Sequence, residues 1–136
     1  MTIEGDIDSN NTLWVKLDVI GEAGKKTMPV FIDTGFSGEL AIPLQIAVPL
    51  GLKLSGAATS RLADGAEIRQ MLFSAKISWG TQKRPVTVHV MPGDVNASIG
   101  CALLHGYVLH ADFENKQLII KEPHVDEPTK PNNKMG

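Results

Sequence analysis

A single carboxylate, followed at once by a hydroxyl residue and flexible glycines, is the part of this sequence best suited to chemistry. The apolar run Val30–Ile32 leads directly into Asp33. Burying a carboxylate is costly unless hydrogen-bond donors reach it, and a glycine two residues later lets backbone N–H groups approach its oxygens. The pattern therefore predicts a site built around this carboxylate. In order, the segment is Asp33, Thr34, Gly35, Phe36, Ser37 and Gly38.

Each candidate group has a simpler interpretation. Asp33 alone could be an ordinary turn or capping aspartate, because Asp-Thr-Gly after a strand is common turn chemistry. Ser37 lacks the spacing of a nucleophile elbow and is better interpreted as a turn or pocket hydroxyl. The glycines and lysines of 21–27 are too closely spaced for a phosphate-binding loop, and no crossover helix follows them. These patterns argue against serine hydrolase and nucleotide-binding chemistry.

The histidines and the cysteine do not form a metal-ligand pattern. His89, His105, His110 and His124 are scattered, and none stands at ligand spacing with Cys101. We expect the histidines to be surface or packing residues and Cys101 to be a small buried hydrophobe. The sequence therefore predicts no metal and no cofactor.

Short strands must position the candidate site. Alternating apolar and polar residues predict the first secure strand at 13–19, and Asp64-Gly65 is a strong hairpin-turn signal. Short helical segments are expected at 43–50, where Pro49 limits the length, and at 102–105. Many short strands with little helix favour a small all-β barrel or sandwich. The further strands are predicted at 28–32, 40–42, 57–62, 67–78, 85–90, 108–113 and 117–121.

On this background the sequence resembles the retropepsin-like aspartic proteases, and more closely their single-domain bacterial branch, over residues 12–121. Asp-Thr-Gly followed by an aromatic residue, Ser and Gly is typical of that branch. The family has a flap hairpin roughly 30 residues later and a late apolar-apolar-Gly segment before a short helix, which Ala97–Gly100 and Cys101–Leu104 match. The segment at the flap position is Leu62, Ala63, Asp64, Gly65 and Ala66.

The resemblance implies a small closed acid-protease barrel with one short helix that forms a two-fold homodimer. Asp33 from each copy would share one proton and activate water, with Thr34 and Gly35 completing the catalytic motif. The expected substrate is an extended, partly apolar peptide or protein segment. Its predicted contacts are Phe36, Ser37, Gly38, Ile99 and the flap residues Leu62, Ala63, Asp64, Gly65 and Ala66.

Two departures from the family pattern leave a second hypothesis open. Ser98 stands where the family usually has an apolar residue, and neither of the two residues after Gly100 is acidic or Arg. A non-catalytic dimerisation or peptide-binding module of the same fold would accommodate both departures. Pepsin-like two-lobed enzymes are excluded because no other Asp in the sequence is followed by Thr/Ser and Gly.

Composition limits the remaining possibilities. The 136 residues, 43% of them hydrophobic, suit one domain, predicted at 1–121, with a polar and disordered tail at 122–136. A net charge of −2 without a block of one sign indicates no nucleic-acid partner. The apolar stretch at 40–50 contains two prolines and is too short for a membrane span. One cysteine and no recognisable signal segment lead us to expect a cytoplasmic protein.

Overall fold

A computed structural model describes residues 1–123, which form ten strands and two short helices. The strands are β1 (Thr2–Ile7), β2 (Leu13–Ile20), β3 (Lys25–Ile32), β4 (Leu40–Pro43), β5 (Lys53–Arg61), β6 (Glu67–Trp79), β7 (Gln82–Met91), β8 (Ser98–Ile99), β9 (Val108–Asp112) and β10 (Gln117–Lys121). The helices are α1 (Leu44–Leu50) and α2 (Cys101–Leu104).

Six of the strands close on themselves. The order along the sheet is β5-β6-β7-β4-β8-β3-β2-β1-β10-β9, and β6 also pairs with β2. This second pairing, which brings Val19 opposite Ile77, joins the two sides into a barrel made of β6, β7, β4, β8, β3 and β2. The predicted closed all-β barrel is therefore confirmed.

The shortest strand lies at the centre of the arrangement. β8 pairs in parallel with the end of β3, where Ile32 lies opposite Ile99, and antiparallel with β4, where Leu40 lies opposite Ile99. The loop from β3 to β4 therefore leaves one side of β8 and returns on its other side. This loop is residues 33–39, the segment that the sequence identifies as the candidate site.

The barrel is filled by alternating apolar side chains. Val15, Leu17 and Val19 of β2 are buried, and polar or partly exposed residues separate them. Trp79 is also fully buried and packs edge-on against Tyr107, with ring centroids 5.6 Å apart. Each large apolar side chain buried in this way stabilises the fold by about 1.5–3 kcal/mol.

Several element bounds differ from the sequence predictions. β1 was not predicted, because Gly5 interrupts the alternation of Ile3 and Ile7. Gly5 is required there, since a Cβ would lie 2.3 Å from the Trp14 carbonyl oxygen. β5 begins earlier than expected, and β7 begins before Pro85. Proline is tolerated at this position because β4 pairs only with the later part of β7.

Two further expectations concern the polar tail and the possibility of a membrane span. The predicted polar tail falls almost entirely on residues 124–136, which lie outside the described residues. Along residues 1–123, none of the helices has the length and apolar character needed to cross a membrane.

Candidate active site

The end of β3 places Asp33 in a tight turn. The backbone N–H of Asp33 donates to the Ile99 carbonyl at 2.9 Å, and the N–H of Phe36 donates back to the Asp33 carbonyl at 3.1 Å. The N–H of Gly35 donates to Asp33 Oδ1 at 3.0 Å. As the sequence predicts, a backbone donor thus reaches the carboxylate, which is half-buried, while Thr34 and Gly35 are exposed.

The start of α2 holds the other end of the loop. The N–H groups of Cys101 and Ala102 donate to the carbonyls of Phe36 and Gly38 at 2.9 and 3.2 Å. Gly100 is necessary for this approach, because a Cβ on it would lie 2.4 Å from both carbonyl oxygens. The late glycine therefore acts by letting α2 contact the loop directly.

Cys101 corrects one expectation. It is exposed, and its Sγ donates to the Thr34 carbonyl at 3.1 Å. The first residue of α2 turns toward the loop, whereas Leu103 is the α2 residue buried in the core. The expectation that Cys101 is a buried hydrophobe was wrong. The four-residue helix α2 packs only Leu103 into the core, so its first residue, Cys101, remains exposed.

Glu39 and Arg84 form a support that the sequence analysis missed. The Glu39 carboxylate accepts a hydrogen bond from the Thr87 N–H at 2.8 Å. It also forms an ion pair with Arg84, at a distance of 3.3 Å. Arg84 also donates to the Leu103 carbonyl at 3.2 Å. These contacts tie the end of the loop to β7 and α2. No local sequence signal marks the pair, because its members are far apart in the chain.

Ile99 and Ser98 lie on opposite sides of β8. Ile99 is 0% exposed and belongs to the core, so its contribution to the site is the carbonyl that accepts from Asp33. We therefore place the Ile99 side chain behind the site rather than on its surface. Ser98, the one buried polar residue among the described residues, has the opposite orientation.

The predicted flap is an extended hairpin. Its tip is closed by hydrogen bonds from Leu62 N–H to the Ala66 carbonyl and from Gly65 N–H to the Leu62 carbonyl, at 2.7 and 3.0 Å. Gly65 adopts a φ of 88°, which favours glycine, and Asp64 Oδ1 accepts from the Ala66 N–H. Ala63 and the other tip residues are exposed. Among the described residues no hydrogen bond joins this tip to the Asp33 loop.

The histidines occupy separate environments. His105 and His110 are exposed, whereas His89 is half-buried against Phe36, with ring centroids 5.1 Å apart. His124 lies outside the described residues. Within residues 1–123, no three or more His, Cys, Asp or Glu side chains are grouped as metal ligands.

The structure thus brings together one part of the predicted site. Residues 33–38 form a single loop against β8 and α2, while residues 62–66 stand at the end of a separate hairpin. Cavities of about 410 Å³ lie elsewhere, for example beside Ile20 and Pro85. The half-buried Asp33 carboxylate keeps partial access to solvent, where it can accept a proton and bind water.

Comparison with known proteins supports the architecture. The chain is similar to the crystal structure of a retropepsin-like aspartic protease from Rickettsia conorii, with a TM-score of 0.58, 18% identity and 90% of each chain covered. No family model matches the sequence, and no curated protein matches it. At this identity the likeness concerns the fold. Together with the closed barrel and the loop around β8, it shows that this chain has a retropepsin-like fold.

Proposed function

We propose that the protein is an aspartic endopeptidase that acts as a homodimer, with Asp33 from two copies forming the catalytic pair. The observation that carries the proposal is the Asp33 turn itself. Its carboxylate accepts from the Gly35 N–H and is half-exposed at a loop held by three hydrogen bonds from Gly100, Cys101 and Ala102. An ordinary turn aspartate does not need a loop that is held by additional hydrogen bonds from a second segment of the chain. We therefore interpret the partly accessible Asp33 carboxylate as a functional group.

The exposure of the neighbouring residues supports pairing. Thr34, Gly35, Cys101 and Ala102 are all exposed around Asp33, so one chain presents an accessible half-site. Two carboxylates that meet across a two-fold axis cannot both ionise at close range, and one proton is shared between them. A dimer would thus create the acid and the base that a single Asp33 cannot supply.

The paired carboxyls account for peptide hydrolysis without a covalent intermediate. The ionised Asp33 takes a proton from water, and the water oxygen attacks the scissile carbonyl carbon. The protonated carboxyl of the second copy then gives its proton to the leaving nitrogen as the C–N bond breaks. The two residues exchange protonation states, and the pair titrates as a unit. An extended substrate would bind as an added strand beneath the hairpin of β5 and β6.

Mixing experiments test both the chemistry and the pairing. Asp33→Asn should remove peptide cleavage while leaving the melting temperature almost unchanged. Added in excess to wild type, it should suppress activity, because mixed dimers carry one carboxylate. Asp6→Asn, which changes an exposed aspartate on β1, is the matched control and should do neither. Full cleavage by Asp33→Asn, or activity that is simply additive on mixing, would contradict the proposal.

A non-catalytic peptide-binding module is the second candidate. It is favoured by the polar Ser98 beside β3 and by the uncharged Cys101 and Ala102 after Gly100. This candidate predicts that peptides bind without turnover and that Asp33→Asn binds them as wild type does. Mass spectrometry of a peptide library incubated with the wild-type protein distinguishes the two functions, because only the first generates new termini.

A further inference from the structure

A row of paired residues crosses the barrel next to the Asp33 loop. Ser98 of β8 lies opposite Phe31 on one side and Ala41 on the other. Ala41 lies opposite His89 of β7, and His89 lies opposite Leu72 of β6. Directly paired residues project from the same face of a sheet. The five side chains therefore share one face, and two of them, Ser98 and His89, are polar.

This face is the one that adjoins the candidate site. The next residues along the strands, Ile99 and Val88, are fully buried in the core, so the row lies on the other face of the sheet, where Ser98 and Ala41 are themselves nearly covered. Phe36 connects the row to the Asp33 turn, because its ring contacts His89 edge-on and its N–H donates to the Asp33 carbonyl. Gly38 lies between these rings, and a Cβ on it would be 2.7 Å from His89 Cε1.

The hairpin that would cover a substrate starts at the same row. Leu72 opposite His89 is the pair at which β6 leaves β7, and the preceding residues of β6 pair only with β5. Closure of this hairpin would therefore cover the surface between His89 and the Asp33 loop. We call the region bounded by Phe36, Gly38, His89 and the nearly buried Ser98 the His89 subsite.

The imidazole presents an acceptor to the His89 subsite. Nδ1 is buried and has no hydrogen-bond partner within residues 1–123, so Nε2 is the nitrogen of the half-buried ring that is left to meet a ligand. Burial lowers the pKa of His89, and the adjacent Leu40 backbone opposes this only in part. The neutral ring carries one N–H, and with that proton on Nδ1, Nε2 accepts a hydrogen bond. The Ser98 hydroxyl can donate or accept.

We propose that the His89 subsite selects a substrate side chain with a carboxamide, that of Asn or Gln, through His89 and Ser98. The amide N–H donates to His89 Nε2, and the amide oxygen accepts from the Ser98 hydroxyl. An aliphatic side chain of the same size leaves both groups unpaired beneath the closed hairpin, which is costly. The inference rests on the proposed peptide-binding site and deepens it by naming a side-chain class.

The experiment uses pairs of peptides that differ at one position, Asn against the nearly isosteric Leu, scanned along a sequence that the protein binds. Binding is measured by fluorescence anisotropy in Asp33→Asn, where no cleavage intervenes, and cleavage is measured in the wild-type protein. At one position we expect the Asn peptide to bind about tenfold more tightly, the ratio expected for one or two net hydrogen bonds.

Three variants identify the source of the preference. His89→Leu should reduce the Asn-to-Leu ratio from about ten to about three, because the Ser98 hydroxyl still favours the amide. Ser98→Ala, which leaves the imidazole and its packing in place, should reduce the ratio by about threefold. His110→Leu changes an exposed histidine of β9 and should leave it unchanged.

The outcomes separate this inference from the proposed function. An Asn preference in binding that depends on His89, without cleavage by the wild-type protein, would support the subsite and refute the protease. Cleavage with no Asn preference at any position, or a preference that survives both His89→Leu and Ser98→Ala, would overturn the subsite and leave the protease standing.

Discussion

Replacing Gly100 by alanine should disturb the candidate site by the addition of one methyl group. The new Cβ would lie 2.4 Å from the Phe36 and Gly38 carbonyl oxygens, whereas ordinary contact begins at 3.4 Å, so each must move by up to 3.4 − 2.4 = 1.0 Å. Those carbonyls also accept from Cys101 and Ala102. Losing two net hydrogen bonds costs about 2 kcal/mol, and overpacking adds about 1–3 kcal/mol.

A total of about 3–5 kcal/mol should lower the melting temperature by roughly 10–20 °C for a domain of this size. Calorimetry and urea unfolding measure the change, and peptide cleavage reports on the loop. Gly24→Ala is the matched control, because a Cβ there meets nothing within 4 Å. A Gly100→Ala protein that melts within about 2 °C of wild type would refute the view that α2 must contact the loop directly.

Three further predictions follow from the charged and titratable groups. Glu39→Ala should cost about 1–3 kcal/mol in urea unfolding, because it leaves the Thr87 N–H and Arg84 without their partner; equal stability would contradict this. Burial lowers the pKa of His89, so the unfolded chain takes up its proton first as the pH falls below about 6.5. Wild type should therefore lose more stability between about pH 7.5 and pH 5 than His89→Leu does, and parallel curves would refute this. Backbone hydrogen bonds, chiefly from Thr12, lower the pKa of Asp8, so its stabilising effect is present above its unfolded pKa and is lost as the pH falls through its folded pKa. Asp8→Ala should make acid unfolding begin at higher pH, as followed by circular dichroism.

Most of the barrel could be predicted because its signals are local. The alternation in β2, the Asp64-Gly65 turn and the apolar residues before Asp33 each depend on neighbours in sequence. β1 could not be recognised because Gly5, which breaks its alternation, is explained only by the Trp14 backbone packed against it. Pro85 misplaced the start of β7 for a similar reason, since its tolerance depends on where β4 stops pairing.

The candidate site divides in the same way. Asp33 and the donor from Gly35 are two residues apart, so the sequence alone indicated them. The ion pair of Glu39 with Arg84 and the row from Ser98 to His89 depend on which strands become neighbours around the barrel. The spacing of residues in the sequence does not indicate contacts between distant strands. The Asp-Thr-Gly motif therefore indicated the catalytic candidate, Asp33, but not the residues that surround it in the fold.

The two-residue strand β8 also bears on how the protein reaches and leaves its folded state. Its partners in β3 and β4 are separated from it by about half of the described chain, so this pairing carries a large loop-closure cost. The local hairpins of β2 with β3 and β6 with β7 can form without it. We expect Asp33 to acquire its final hydrogen bonds late in folding and to lose them first on local opening. If the proposed function holds, a newly made chain would therefore have no complete catalytic site until its own barrel had closed.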